Sequence, residues 1–81
     1  MLFLLVACAP EVEQTPACAA YVSCLAARDA ADGTTTDTVR FAPQGECWGT
    51  PAGQDLCDRA CENGLIWLRE RVDGLPAECA E

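Results

Sequence analysis

Apolar positions keep a helical period in two stretches of this chain. Cys18, Tyr21, Val22 and Leu25 stand at i, i+3, i+4 and i+7. Cys57, Ala60, Cys61, Gly64 and Leu68 repeat that spacing further on, with Leu65 and Trp67 beside them. Such a period gathers each set on one face of an α-helix. Both stretches are framed by the same formula. Thr15-Pro16-Ala17 opens the first and Thr50-Pro51-Ala52 the second; Asp32-Gly33 and Asp73-Gly74 close them. Threonine before proline reads as an N-cap followed by the first helical residue, where the missing N–H of proline costs no hydrogen bond. Glycine at the far end can take the left-handed conformation that stops a helix. The pattern predicts helices over about 16–32 and 51–73, folded as an antiparallel hairpin. Asn63-Gly64 is the one irregularity, because glycine inside a helix costs ~1 kcal/mol against alanine. A packing reason is expected. Counted down from the joined ends, Gly64 lies at about the depth of Tyr21, whose ring should lie across it.

The connection, Thr34 to Gly49, is loop-rich. Asp37 to Ala42 has room for one or two helical turns, and Pro43-Gln44-Gly45 reads as a turn. Val39, Phe41 and Trp48 are expected to plug the open end of the hairpin. Leu75-Pro76 should turn the tail so that Cys79 comes back to the body. Ahead of the helices, Cys8 to Gln14 (CAPEVEQ) reads as a short acidic tether.

Composition turns this from a fold question into one of compartment. A chain of 81 residues makes a single domain that is too small to rest comfortably on apolar contacts alone. It has seven cysteines and no histidine. Met1 to Ala7 is an apolar run, and Leu5-Val6-Ala7-Cys8 places a cysteine where a bacterial lipoprotein signal is cut. With Cys8 carrying lipid, the six others (Cys18, Cys24, Cys47, Cys57, Cys61 and Cys79) form an even set that can close three disulfides, on the order of 2–4 kcal/mol each. One assumption thus accounts for both the odd cysteine and the greasy N-terminus. Signals of this kind begin with a basic segment and run roughly 15–30 residues, so more signal is expected upstream of Met1. The expected layout is a truncated signal over 1–7, a tether over 8–14 and a helical domain over 15–81.

Charge narrows the partners. Thirteen acidic residues face five arginines, for a formal net charge of −8. Met1 to Ala7 carries no charge, so the processed chain keeps that value. Such a surface repels phosphates, which argues against nucleic-acid binding. Membrane attachment would then come from acyl chains, palmitate among them, and not from a basic patch.

Six cysteines allow fifteen pairings, and helix geometry narrows them. In an antiparallel hairpin Cys24 and Cys61 are nearly level at ~1.5 Å per residue. Cys47 and Cys57 are close, and Cys18 lies where the tail should bring Cys79. The expected set is 24–61, 47–57 and 18–79. The runner-up, 18–61, 24–57 and 47–79, puts Cys18 and Cys61 several residues apart in height.

The pattern Cys18-x-x-Tyr21-x-x-Cys24, then Phe41-Ala42-Pro43-Gln44-Gly45-Glu46-Cys47-Trp48, then Cys57-x-x-x-Cys61, resembles the small cysteine-rich lipoproteins of myxobacteria and related soil bacteria. Ala42 stands where those proteins have glycine. The resemblance spans nearly the whole processed chain. It implies an exported, disulfide-bonded helical protein and no known activity. Ala9 after the lipid cysteine resembles signals that permit sorting to the outer membrane.

Other chemistry is thinly supported. Redox motifs place C-x-x-C at a helix start, which is absent here; haem attachment needs C-x-x-C-H, and there is no histidine. Zinc on four of the cysteines suits a reducing compartment and not an oxidising one. Asp55, Asp58 and Glu62 make an acidic helix face, better read as solvated surface than as a calcium site. Ser23 is the only serine and has no histidine or lysine to activate it. No enzyme activity, cofactor or metal is expected. The reading is a membrane-anchored lipoprotein of the cell envelope that acts as a structural or interaction module, with an envelope protein as its partner. The alternative is a disulfide-stapled inhibitor or toxin-like effector that presents Arg40 on the 34–49 loop.

Overall fold

The computed structural model describes residues 12–80. Cys8 and the signal over 1–7 lie outside the described residues. Among the described residues the fold is all-α and disulfide-stapled, as the pattern predicts. Helix α1 runs Pro16–Asp32 and helix α2 Pro51–Arg71, joined through 3-10 turns at Val39–Phe41 and Glu46–Gly49 and followed by a third at Ala77–Cys79.

The caps work as the sequence formula implies. Thr15 Oγ1 accepts from the Cys18 N–H at 3.3 Å and Thr50 Oγ1 from the Gly53 N–H at 3.0 Å, each with proline next in line. These bonds satisfy N–H groups that have no partner inside the helix. Gly33 ends α1 at φ +74°, and the N–H groups of Gly33 and Thr34 both reach the Asp29 carbonyl. Helix α2 stops two residues earlier than the expected 73. Val72 turns extended, and this lets Val72 and Leu75 pack with Leu25, Leu65 and Leu68. Gly74 then takes φ +71° beyond the helix.

The direction of the second helix corrects the hairpin. Contacts advance the same way along both helices: Cys18 meets Cys57 and Cys61, Tyr21 meets Gly64, and Cys24 and Leu25 meet Leu65 and Leu68. The helices are therefore parallel, not antiparallel. The link over 33–50 can span the ~25 Å of a 17-residue helix and return the chain to the start of α1. Its end is fixed there. Val12 donates its N–H to the Trp48 carbonyl at 3.3 Å, and Gln54 Nε2 donates to the Glu13 carbonyl at 3.0 Å. The last residues of the expected 8–14 tether are thus held against the body.

The bridges follow from that direction. They are Cys18–Cys61, Cys24–Cys79 and Cys47–Cys57. The 47–57 pairing stands; 24–61 and 18–79 are wrong. With α2 parallel, Cys61 is level with Cys18, and Cys24 lies higher, beside the tail that leaves the top of α2. Arg69 pins that tail by donating from Nε to the Cys79 carbonyl at 2.7 Å.

The core divides into two clusters, one around Cys18, Cys47, Trp48, Cys57 and Cys61 and one around Cys24, Leu25, Leu65, Leu68 and Cys79, with Tyr21 touching both. Of the residues expected inside, Ala60 is exposed, as is Trp67 at 53%. Of the expected plug, Trp48 is buried and Phe41 half-buried, whereas Val39 faces water at 69% exposure.

Candidate functional site

The segment the sequence marked for presentation, 34–49, is bound down at several points. At its start Asp29 gathers it: the carboxylate accepts from Thr34 Oγ1 at 2.8 Å, the Thr36 N–H at 2.7 Å and Thr36 Oγ1 at 2.9 Å. The Thr34 hydroxyl is the main cause, with the Thr36 groups and Arg28 adding to it, of an Asp29 pKa below the usual aspartate value; the small loss of hydration acts the other way. At its middle Phe41 stands edge-on to Tyr21, ring centres 5.6 Å apart, and its carbonyl accepts from Gln14 Nε2 at 2.8 Å. Trp48 Nε1 donates to the Ala42 carbonyl at 2.8 Å across the expected Pro43-Gln44-Gly45 turn, which closes with a Gly45 N–H to Ala42 carbonyl bond of 2.8 Å. Gly45 lies so close to the Val39–Phe41 turn that a Cβ there would run into the carbonyl oxygens of Val39 and Arg40. The Cys47–Cys57 bridge ties the end of the segment to α2.

This frame holds Arg40 outward, with its guanidinium 5.6 Å from the centre of the Phe41 ring and 3.7 Å from the Glu46 carboxylate. Both partners of that pair are largely exposed, so it contributes little to stability. The backbone at Arg40 is a 3-10 turn. A chain that lies in a protease cleft is extended so that it can pair along an edge. Arg40 is presented, but in the wrong backbone form for that use. Beside this segment a groove of about 540 Å³ runs between Val12, Glu13 and Gln14 on one side and Pro43, Gln44, Gly45 and Trp48 on the other. Its side-chain polar groups are amides and one carboxylate. It offers no nucleophile or base within this set.

The cysteines expected to pair do so in the interior: Cys18, Cys24 and Cys61 are fully buried, and Cys57, at 8%, is the most accessible of the six. Such bridges are closed to an incoming thiolate and serve as structural staples. Ser23 sits exposed on α1. On the acidic face of α2, Asp55 pairs with Arg59 at 3.1 Å, and no set of three metal-ligating side chains converges among the described residues. No charged or polar side chain is buried among them either, so no acid or base has the desolvated setting that shifts a pKa toward catalysis. Asp29 escaped the sequence reading. A carboxylate followed by Gly-Thr-x-Thr was the available signal, because threonine hydroxyls just past a helix end can fold back onto it. No family model, curated protein or solved structure matches this chain.

Proposed function

We propose that this chain is an exported lipoprotein of the cell envelope, anchored by lipid on Cys8, and that its folded part is an interaction module with no chemistry of its own. Its likeness to the small cysteine-rich lipoproteins of myxobacteria, and Ala9 beside the anchor, favour the outer membrane. The observation that carries the reading is the cysteine count. Six of the seven cysteines close three bridges inside the domain, and Cys8 is the one left over, at the end of an apolar run. Three buried disulfides suit an oxidising compartment. The hold on Val12 adds a distance. Only residues 9–11 separate Cys8 from the docked Val12, so the anchor lies within ~15 Å of the body at ~3.6 Å per residue. The end bearing Trp48 and the 43–45 turn then faces the bilayer, and the partner is a protein close to the membrane surface.

Palmitate labelling tests the anchor. Expressed behind a complete signal in a bacterial host, the wild-type protein takes up label and fractionates with membranes, while Cys8→Ala takes up none and is found in the soluble fraction. Equal labelling of Cys8→Ala would overturn the reading. The inhibitor alternative, which rests on Arg40, has the 3-10 backbone of that residue against it.

A further inference from the structure

Helix α2 carries a second apolar stripe, turned away from the core. Leu56, Ala60, Asn63 and Trp67 stand at i, i+4, i+7 and i+11 and fall within a ~60° arc of the helix. All four are exposed, Leu56 at 68% and Trp67 at 53%, and Ile66 beside them at 49%. No element of the described chain covers them: α1 packs against the Cys57, Cys61, Leu65 and Leu68 side, roughly a third of a turn away. The alternation of four and three residues is the seam of a two-stranded coiled coil.

We propose that this stripe is the interface of a two-fold symmetric dimer in which α2 lies antiparallel on α2 of a second copy. The pattern is its own complement. Its four positions are symmetric about the midpoint between residues 61 and 62. An antiparallel copy therefore sets Leu56 on Trp67 of the second copy, Ala60 on Asn63, and the same pairs in reverse, as a two-fold interface requires. The seam holds no charged side chain in a chain of net charge −8. Asp55, Asp58 and Glu62 point more than a quarter turn away from it. Arg59 flanks the seam and comes beside Ile66 of the second copy, where its methylene stem can cover apolar surface. Two short helical stripes bury less than the ~1,000 Å² of a stable complex, so the dimer is weak and concentration-dependent. Repulsion between the acidic bodies acts outside the seam and is screened by salt. Association therefore strengthens as salt is added, the reverse of binding driven by a basic partner.

Sedimentation equilibrium of the full chain tests this, with Trp67 emission as a local probe, since Trp48 is already buried. The wild type associates with rising concentration and more strongly in added sodium chloride, and its emission shifts to the blue. Leu56→Glu alone and Trp67→Arg alone each weaken association at least tenfold. Their equimolar mixture regains it, because a heterodimer has one Glu–Arg pair and one native Leu–Trp pair. The reversed pair, Leu56→Arg with Trp67→Glu, behaves the same way should either variant fold poorly. Association driven by the apolar residues 1–7 would survive each single change and gain nothing from mixing, which overturns the proposal. So would a wild type that stays monomeric to millimolar concentration, a mixture that stays monomeric, Trp67 emission that is already blue in the monomer, or vesicle binding that Trp67→Arg abolishes.

Discussion

At Gly64 a single missing side chain sets how closely the helices approach. A Cβ built there would lie 2.6 Å from Tyr21 Cε1, 3.0 Å from Cζ and 3.2 Å from the hydroxyl. The ring has little freedom to yield, because Phe41 stands edge-on to it. Two effects oppose each other in Gly64→Ala. Alanine gains ~1 kcal/mol of helix propensity, and overpacking costs ~1–3 kcal/mol. The expected net is a loss of up to about 2 kcal/mol by urea denaturation. In a Tyr21→Leu background the clash is gone, and the same change becomes stabilising by ~1 kcal/mol; a loss of equal size in both backgrounds would refute the contact. This contact was legible in sequence, since a helix-breaking residue amid an apolar period asks for a neighbour. The height count behind it assumed the wrong direction and met Tyr21 only because both counts pass through the same level. Asp29 works by hydrogen bonding. The Thr34 and Thr36 bonds lower its folded pKa, so its contribution is complete above the unfolded aspartate value near ~4 and is lost as pH falls through the lowered one. Followed by the Thr36 amide in NMR, Asp29 titrates below an ordinary aspartate, and Thr34→Val moves the midpoint upward. An unmoved midpoint would mean that the hydroxyl does not hold the carboxylate.

Among the elements, the helices were the readable part. Thr-Pro at each start and Gly33 at the first end act over a few residues, so α1 came out residue for residue. The end of α2 did not, because Val72 leaves the helix to reach Leu25 and Leu75, and that gain is set by distant partners. The staples joining the elements differ in the length of chain they close. Cys24–Cys79 spans 55 residues, Cys18–Cys61 43 and Cys47–Cys57 only 10. In the chain-entropy account a longer loop constrains the unfolded chain more, ~4 kcal/mol for the longest bridge against ~3 for the shortest. Replacing Cys24 and Cys79 together by alanine should therefore cost about 1 kcal/mol more than replacing Cys47 and Cys57. The reverse order would show that the packing of Trp48 around the short bridge outweighs loop length.

For the whole molecule the three bridges and the return of the link act together. The largest fully buried side chains among the described residues are cysteines, so the apolar core is small and the staples supply what it lacks. Full reduction should abolish the cooperative thermal transition and most of the helical circular dichroism, and shift Trp48 emission to the red. A reduced chain that keeps a cooperative melt would mean that Leu25, Leu65, Leu68 and Trp48 suffice. The sequence by itself determined the helix starts, the interior place of six cysteines, the glycine contact and the acidic, apolar-ended character of the chain. Each rests on forces that act within a few residues or on simple counts. The course of the second helix was beyond such reach. A link over 33–50 is long enough to turn α2 either way at similar loop-closure cost. The choice fell to distant contacts: Phe41 on Tyr21, Gln14 on the Phe41 carbonyl, Val12 on Trp48 and Gln54 on Glu13. Once they set α2 parallel, Cys61 came level with Cys18, and Cys24 was left facing the tail. The disulfide pairing was thus decided by tertiary direction, because a bridge forms between whichever cysteines the fold brings within ~6 Å.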